Sequence, residues 1–213
     1  MLKTGRYDWY RNEKWNPQIE EAFFAKLKRA RKKDQYLKVQ AYHLKDTRPE
    51  IALRLLDEFF SLKEDFFLAG AHSIAASALL ALGRIDEAVE AYEAALRREE
   101  VFPNLKTNTC IELPFLIADR NLTSKFDRAL EILATHQNDP VLAFPLARYM
   151  WHASKAVLLK RSNVELAREH AREALDAMGE RESGFRYHQN LGLVETKITK
   201  TTVHSLVLAL GAN

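Results

Sequence analysis

The 213-residue chain reads as an all-α protein built from antiparallel helix pairs, and three observations predict it. Seven Gly and six Pro among many Ala, Leu, Glu, Lys and Arg make a helix-former composition, short of the breakers that β turns need. Within residues 69 to 102, two apolar stripes of helical period flank Gly83, a left-handed stop between helices. Similar paired segments flank this unit, so the chain is a repeat array before it is anything else.

The clearest unit begins with Ile74, Ala75, Ala78, Leu79 and Leu82, spaced by one, three or four residues. After Gly83, Asp86 is expected as the N-cap of a second helix carrying Ala88, Val89, Tyr92, Ala95 and Leu96. Ahead of it, residues 33 to 63 give a helix around Tyr36, Leu37, Val39, Ala41 and Leu44. A turn at DTRP follows, then a helix opened by Pro49 and carrying Ile51, Ala52, Leu55, Leu56, Phe59 and Phe60. Residues 105 to 136 form the faintest pair, with Pro114 expected to interrupt its first helix and Ala129, Leu130 and Leu133 keeping the second stripe. Residues 141 to 178 give a helix from Leu142 to Leu159, a turn capped by Asn163, and a helix with Ala167, Ala171, Ala174 and Leu175.

Residues 69 to 102 resemble a tetratricopeptide repeat. Ala76 stands at the close-packing point of the first helix, Leu79 follows three residues later, and Ala88, Tyr92 and Ala95 match the small, aromatic, small pattern of the second. The family's frequent Trp is His72 here, its Leu-Gly pair is Ala75-Ala76, and its closing Pro falls late, at Pro103. Aligning the second helices on Ala52, Ala88, Ala129 and Ala167 gives intervals of 36, 41 and 38 residues. The family period is about 34. The resemblance implies a right-handed α-solenoid over residues 33 to 183, whose first helices line a groove.

Both ends differ from the array. In residues 1 to 32, Asn16-Pro17 reads as a cap and first position of a helix carrying Ile19, Phe23, Leu27 and Ala30, expected to cap the first pair. Residues 1 to 45 hold 12 Lys and Arg against 5 Asp and Glu, whereas the remainder holds 20 against 24, so a basic start precedes a mildly acidic body. KLKRARKK, residues 26 to 33, contributes to this surplus from a helix whose apolar stripe turns its charges to solvent. The tail, 184 to 213, is rich in Thr and Val and ambiguous between strand and helix; its apolar residues are expected to pack on the end of the array.

Chemistry is thin. Neither phosphate-binding glycine motif occurs, and HExxH is absent. His170 with Glu165, Glu169 and Glu173 reads as a wet helix face, so no metal and no cofactor is expected. Cys110, the single cysteine, cannot close an internal disulfide and is expected to be buried and inert, in keeping with a cytoplasmic protein. No apolar run reaches the length of a signal peptide core or a membrane span.

Two candidate binding sites remain. The resemblance places Ser73, Ser77, Tyr149, His152 and Lys160 in the groove, a set suited to a mixed polar and aromatic peptide. The Lys and Asn with which some relatives grip a C-terminal carboxylate are replaced by Ser73 and Ser77, by Leu37 and Ala41, and by His152 and Ala156 in the three pairs that can be mapped. The second candidate is Arg6, Tyr7, Trp9, Tyr10, Arg11 and Trp15, where rings and cations alternate as on single-strand nucleic-acid platforms, or else shield the open end of the first pair. The expectation is a non-enzymatic scaffold with a peptide or protein partner. Its alternative is a nucleic-acid-associated regulator, and self-association through the array ends is a third course.

Overall fold

The computed structural model describes residues 9–63, 66–194, 198 and 200–211. Ten α-helices and no strand occur among these residues. The chain divides into two compact units, Met1–Thr109 and Cys110–Asn213.

The first unit holds α1 (Pro17–Arg29), α2 (Lys33–Leu44), α3 (Pro49–Ser61), α4 (Leu68–Ala81) and α5 (Ile85–Val101). Asn16 caps α1, its side chain accepting from the Ile19 N–H, with Pro17 in the first turn. Pro49 likewise opens α3. Short connections join α2 to α3 and α4 to α5, and each pair packs together, so the partners run antiparallel. Because α3 also packs on α4, α2 and α4 run parallel, and these two first helices touch. Gly83, at φ +74°, supplies the left-handed residue between α4 and α5. Asp86 lies in the first turn of α5 instead of capping it: the helix starts two residues earlier than that cap implies, at Ile85, and Arg84 is its cap.

The core of this unit joins Phe23 and Leu27 of α1 to Leu37, Ala41 and Leu44 of α2, Ala52, Leu55, Leu56 and Phe59 of α3, and Ala71, Ile74, Ala75 and Ala78 of α4. Ala41, Ala52, Ala71, Ala76, Ala78, Ala88 and Ala95 have no exposed surface. These methyl-sized contacts let helix backbones approach while Leu and Phe fill the spaces between.

The second unit contains α6 (Thr109–Asp119), whose first residue closes the first unit, then α7 (Phe126–Thr135), α8 (Pro145–Leu159), α9 (Val164–Gly179) and α10 (Thr202–Gly211). Pro114 does not interrupt α6 but lies inside it. The missing N–H removes one rung, the one that would reach the Cys110 carbonyl, and the helix continues on either side. The eighth helix starts at Pro145, not Leu142, because Pro140–Ala143 forms a 3₁₀ turn capped by Asp139. Asn163 caps α9 by accepting from the Leu166 N–H, and α8 and α9 pack as an antiparallel pair.

The tail resolves its strand-or-helix ambiguity as α10, which packs on both α8 and α9 and buries Val203, His204 and Val207. Its first turn is capped from far away in sequence: Asp119 Oδ1 accepts from Thr202 N at 2.8 Å and more weakly from Val203 N at 3.4 Å. Thr201 Oγ1 accepts from His204 N at 3.1 Å. Before α10, Gly192 adopts φ +71° and its carbonyl accepts from Leu146 N at 2.7 Å. A Cβ there would lie 2.6 Å from Phe144 Cδ1 and 2.9 Å from Phe144 Cβ, so only glycine fits without displacing that ring. No helix among the described residues is long and apolar enough to cross a membrane.

Candidate functional site

The five groove residues fall in different units. Ser73 and Ser77 stand half-buried on α4, with Ser77 Oγ donating to the Ser73 carbonyl at 3.2 Å, the back-bond a helical serine often makes. Beside them runs α2. A Cβ at Gly70 would rest 3.7 Å from Lys38 Cδ, so the start of α4 lies beside the Lys38 stem. The Lys38 ammonium sits 3.9 Å from the centre of the Phe67 ring, and burial lowers its pKa. One turn further along α2, Tyr42 is 56% exposed, with Lys45 Nζ 5.3 Å from its ring centre. Phe66, also 56% exposed, meets Phe67 edge-on at 4.9 Å. The first helices of the two pairs and the residues at their ends thus present two exposed rings, two lysines and two serine hydroxyls.

In the second unit the groove residues are less accessible. Tyr149 has no exposed surface; its hydroxyl pairs with His204 Nδ1 of α10 at 3.0 Å, and burial, with the nearby Asp119 charge, pushes its pKa up. It fastens the tail and offers nothing to a partner. The physical reason is that α10 occupies the side of α8 toward which Tyr149 points. His152 is half-buried and its Nδ1 lies 3.1 Å from His170 Nδ1 of α9, so one ring donates and the other accepts. Burial, then the Lys155 ammonium, push both imidazoles down to about 4, Arg148 adding to the effect at His152. Lys155 stands 3.8 Å from the Trp151 ring centre, and Trp151 meets both histidines edge-on. Lys160 caps the C-terminal end of α8 and is half-exposed.

Of the basic aromatic segment, Arg6 and Tyr7 lie outside the described residues. The rings of Trp9, Tyr10 and Trp15 pack inward. Trp9 lies 5.4 Å from Phe23 and 4.8 Å from Tyr36, Tyr10 lies 4.7 Å from Tyr36, and Trp15 lies 5.6 Å from Phe23. Arg11 reaches over Tyr10 at 5.5 Å. The segment is pinned by the buried side chain of Gln40, whose Oε1 accepts from Asn12 N at 3.0 Å and Asn12 Nδ2 at 2.8 Å while its Nε2 donates to the Asn12 carbonyl at 2.7 Å. Both polar atoms that Gln40 takes into the core find partners there.

Folding also assembles a trio that sequence reading passed over. Cys110 Sγ, a His136 ring nitrogen and an Asp139 carboxylate oxygen lie within 4.8 Å of one another. Cys110 is 1% exposed in the first turn of α6, His136 ends α7, and Asp139 opens the 3₁₀ turn that follows. The one local signal was the His-x-x-Asp spacing at 136 and 139; nothing in the sequence brings Cys110 to it. No family model, no curated protein and no solved structure matches the chain.

Proposed function

We propose that the chain is a non-enzymatic interaction module of tetratricopeptide-like helix pairs that holds a peptide or protein partner on the face shared by α2 and α4. The supporting observation is the combination of two largely exposed rings, Tyr42 on α2 and Phe66 in the turn ahead of α4, with the Lys38 ammonium of α2 and the Ser73 and Ser77 hydroxyls of the adjacent parallel α4. Exposed aromatic side chains are natural anchors at interfaces, since they bury much area at small entropic cost. Lys38 and Lys45 favour a partner segment carrying carboxylates as well as apolar side chains. The right-handed solenoid implied by the repeat resemblance belongs to the same reading.

The test is binding of the full chain to a peptide library enriched in acidic and aromatic sequences. Tyr42→Ala and Phe66→Ala should each weaken binding by about tenfold or more, whereas Tyr187→Ala, removing an 82% exposed ring of the second unit, should not. Equal binding by all three variants would refute the assigned face.

A further inference from the structure

We propose that Cys110, His136 and Asp139 form a binding site for one divalent transition-metal ion of the zinc class. The three donors are a thiol, an imidazole and a carboxylate, the set from which zinc sites are drawn, and all lie within 4.8 Å of one another. They come from two places in the chain, the first turn of α6 and the turn between α7 and the 3₁₀ segment, so the tertiary fold builds the site.

The local geometry orients the ligands. The Asp139 N–H donates to the His136 carbonyl at 3.0 Å, closing the turn, and Asp139 Oδ1 accepts from Val141 N at 3.1 Å. That bond fixes the carboxylate and leaves Oδ2 3.6 Å from His136 Nδ1. In a tetrahedral site with metal–ligand bonds of about 2.0 to 2.3 Å, neighbouring donors stand roughly 3.3 to 3.7 Å apart. The imidazole and carboxylate already have this separation. Side-chain rotation of about 1 Å would bring the most distant pair into range.

Burial and charge favour a dication. Cys110 is 1% exposed, and the side chains of Asp139 and His136 are 6% and 22% exposed, so the site is sheltered while the imidazole edge meets solvent. A thiolate and a carboxylate together carry two negative charges, which a dication neutralises in a setting where uncompensated charge is costly. A sulfur and a nitrogen donor select against magnesium and calcium, which prefer all-oxygen shells. The same trio could be drawn as a nucleophile, a base and an orienting acid, but a sulfur with 1% exposed surface presents little to a substrate.

The test uses the full chain, stripped with a chelator and titrated with Co²⁺ under reducing conditions. One equivalent should produce the thiolate-to-cobalt charge-transfer band and the strong visible bands of tetrahedral cobalt, and Zn²⁺ should displace it. Cys110→Ser should abolish the charge-transfer band, and His136→Ala and Asp139→Asn should each weaken binding by ~10-fold or more. Because a substitution could unfold the unit, the unmodified protein provides a second readout: Zn²⁺ should raise its thermal midpoint and slow alkylation of Cys110, whereas Mg²⁺ should do neither. Absence of the charge-transfer band, or an undiminished band in Cys110→Ser, overturns the site. Rapid alkylation of Cys110 that Zn²⁺ leaves unchanged also overturns it, in favour of a reactive thiol.

Discussion

In the first unit the segment ahead of α1 is held mainly by rings, with Trp9, Tyr10 and Trp15 laid against Phe23 and Tyr36 and a single amide, Gln40, buried among them. In the second, the final helix is held at its start by polar side chains remote in sequence, Asp119 at its N-terminus and Tyr149 at His204. Apolar area is non-directional, so rings can be repacked at modest cost. Hydrogen bonds in a low-dielectric core are directional and costly to leave unmade. Apart from the bonds of Gln40, the segment ahead of α1 should therefore lose stability in proportion to volume removed, and the final helix in proportion to polar partners orphaned.

The largest effect is expected at Phe23, 1% exposed and touched by Trp9, Trp15 and Phe24. Phe23→Ala should destabilise the first unit by about 3 to 5 kcal/mol in denaturant titration, and a smaller loss would mean the rings collapse into the gap. Gln40→Ala comes next, at about 2 to 3 kcal/mol, because it orphans the Asn12 amide and leaves a small cavity; increased amide exchange at Asn12 would report the released segment. Tyr149→Phe keeps the ring but removes the His204 partner, so about 1 to 2 kcal/mol should be lost from the second unit. If Tyr149→Phe proved neutral, α10 would be held by apolar contact like the amino-terminal segment, and the contrast would disappear.

The smallest effect is one of pH. His152 and His170 are held at about 4, below the ordinary histidine value, by burial and by Lys155, so the unfolded chain takes up their protons first. Their stabilising contribution is complete above about pH 6.5 and is lost as pH falls from there toward 4. Between pH 7.5 and 6 the full shifts of the two imidazoles would amount to about 1.5 kcal/mol, which solvent screening of these half-buried rings reduces to under about 1 kcal/mol, and a His152→Phe, His170→Phe protein should lose less over the same interval. Equal acid sensitivity in both proteins would assign the effect to other groups.

Much of the first unit was legible in the sequence because its signals are local. Asn16-Pro17, Pro49 and Gly83 mark helix ends through one or two residues of backbone chemistry, and the Ala and Leu stripes follow the helical period. The second unit was harder. Pro114 reads as a breaker because its local cost is real, yet the surrounding fold keeps α6 continuous. The cap supplied to α10 by Asp119, more than 80 residues away, leaves no local trace. Tyr149 looked like a groove residue from its place on the first helix of a pair, and only the docking of α10 shows that its hydroxyl faces inward. The Cys110, His136 and Asp139 trio was invisible for the same reason, since its geometry exists only after α6 and the end of α7 are brought together.

The most direct test of the functional account is a measured affinity of the full chain for its best-binding library peptide, compared with that of the Tyr42→Ala protein under conditions where both are shown to be folded. A loss of about tenfold or more is expected, since Tyr42 is the most exposed ring on α2. An unchanged affinity would contradict a partner seated on α2 and α4.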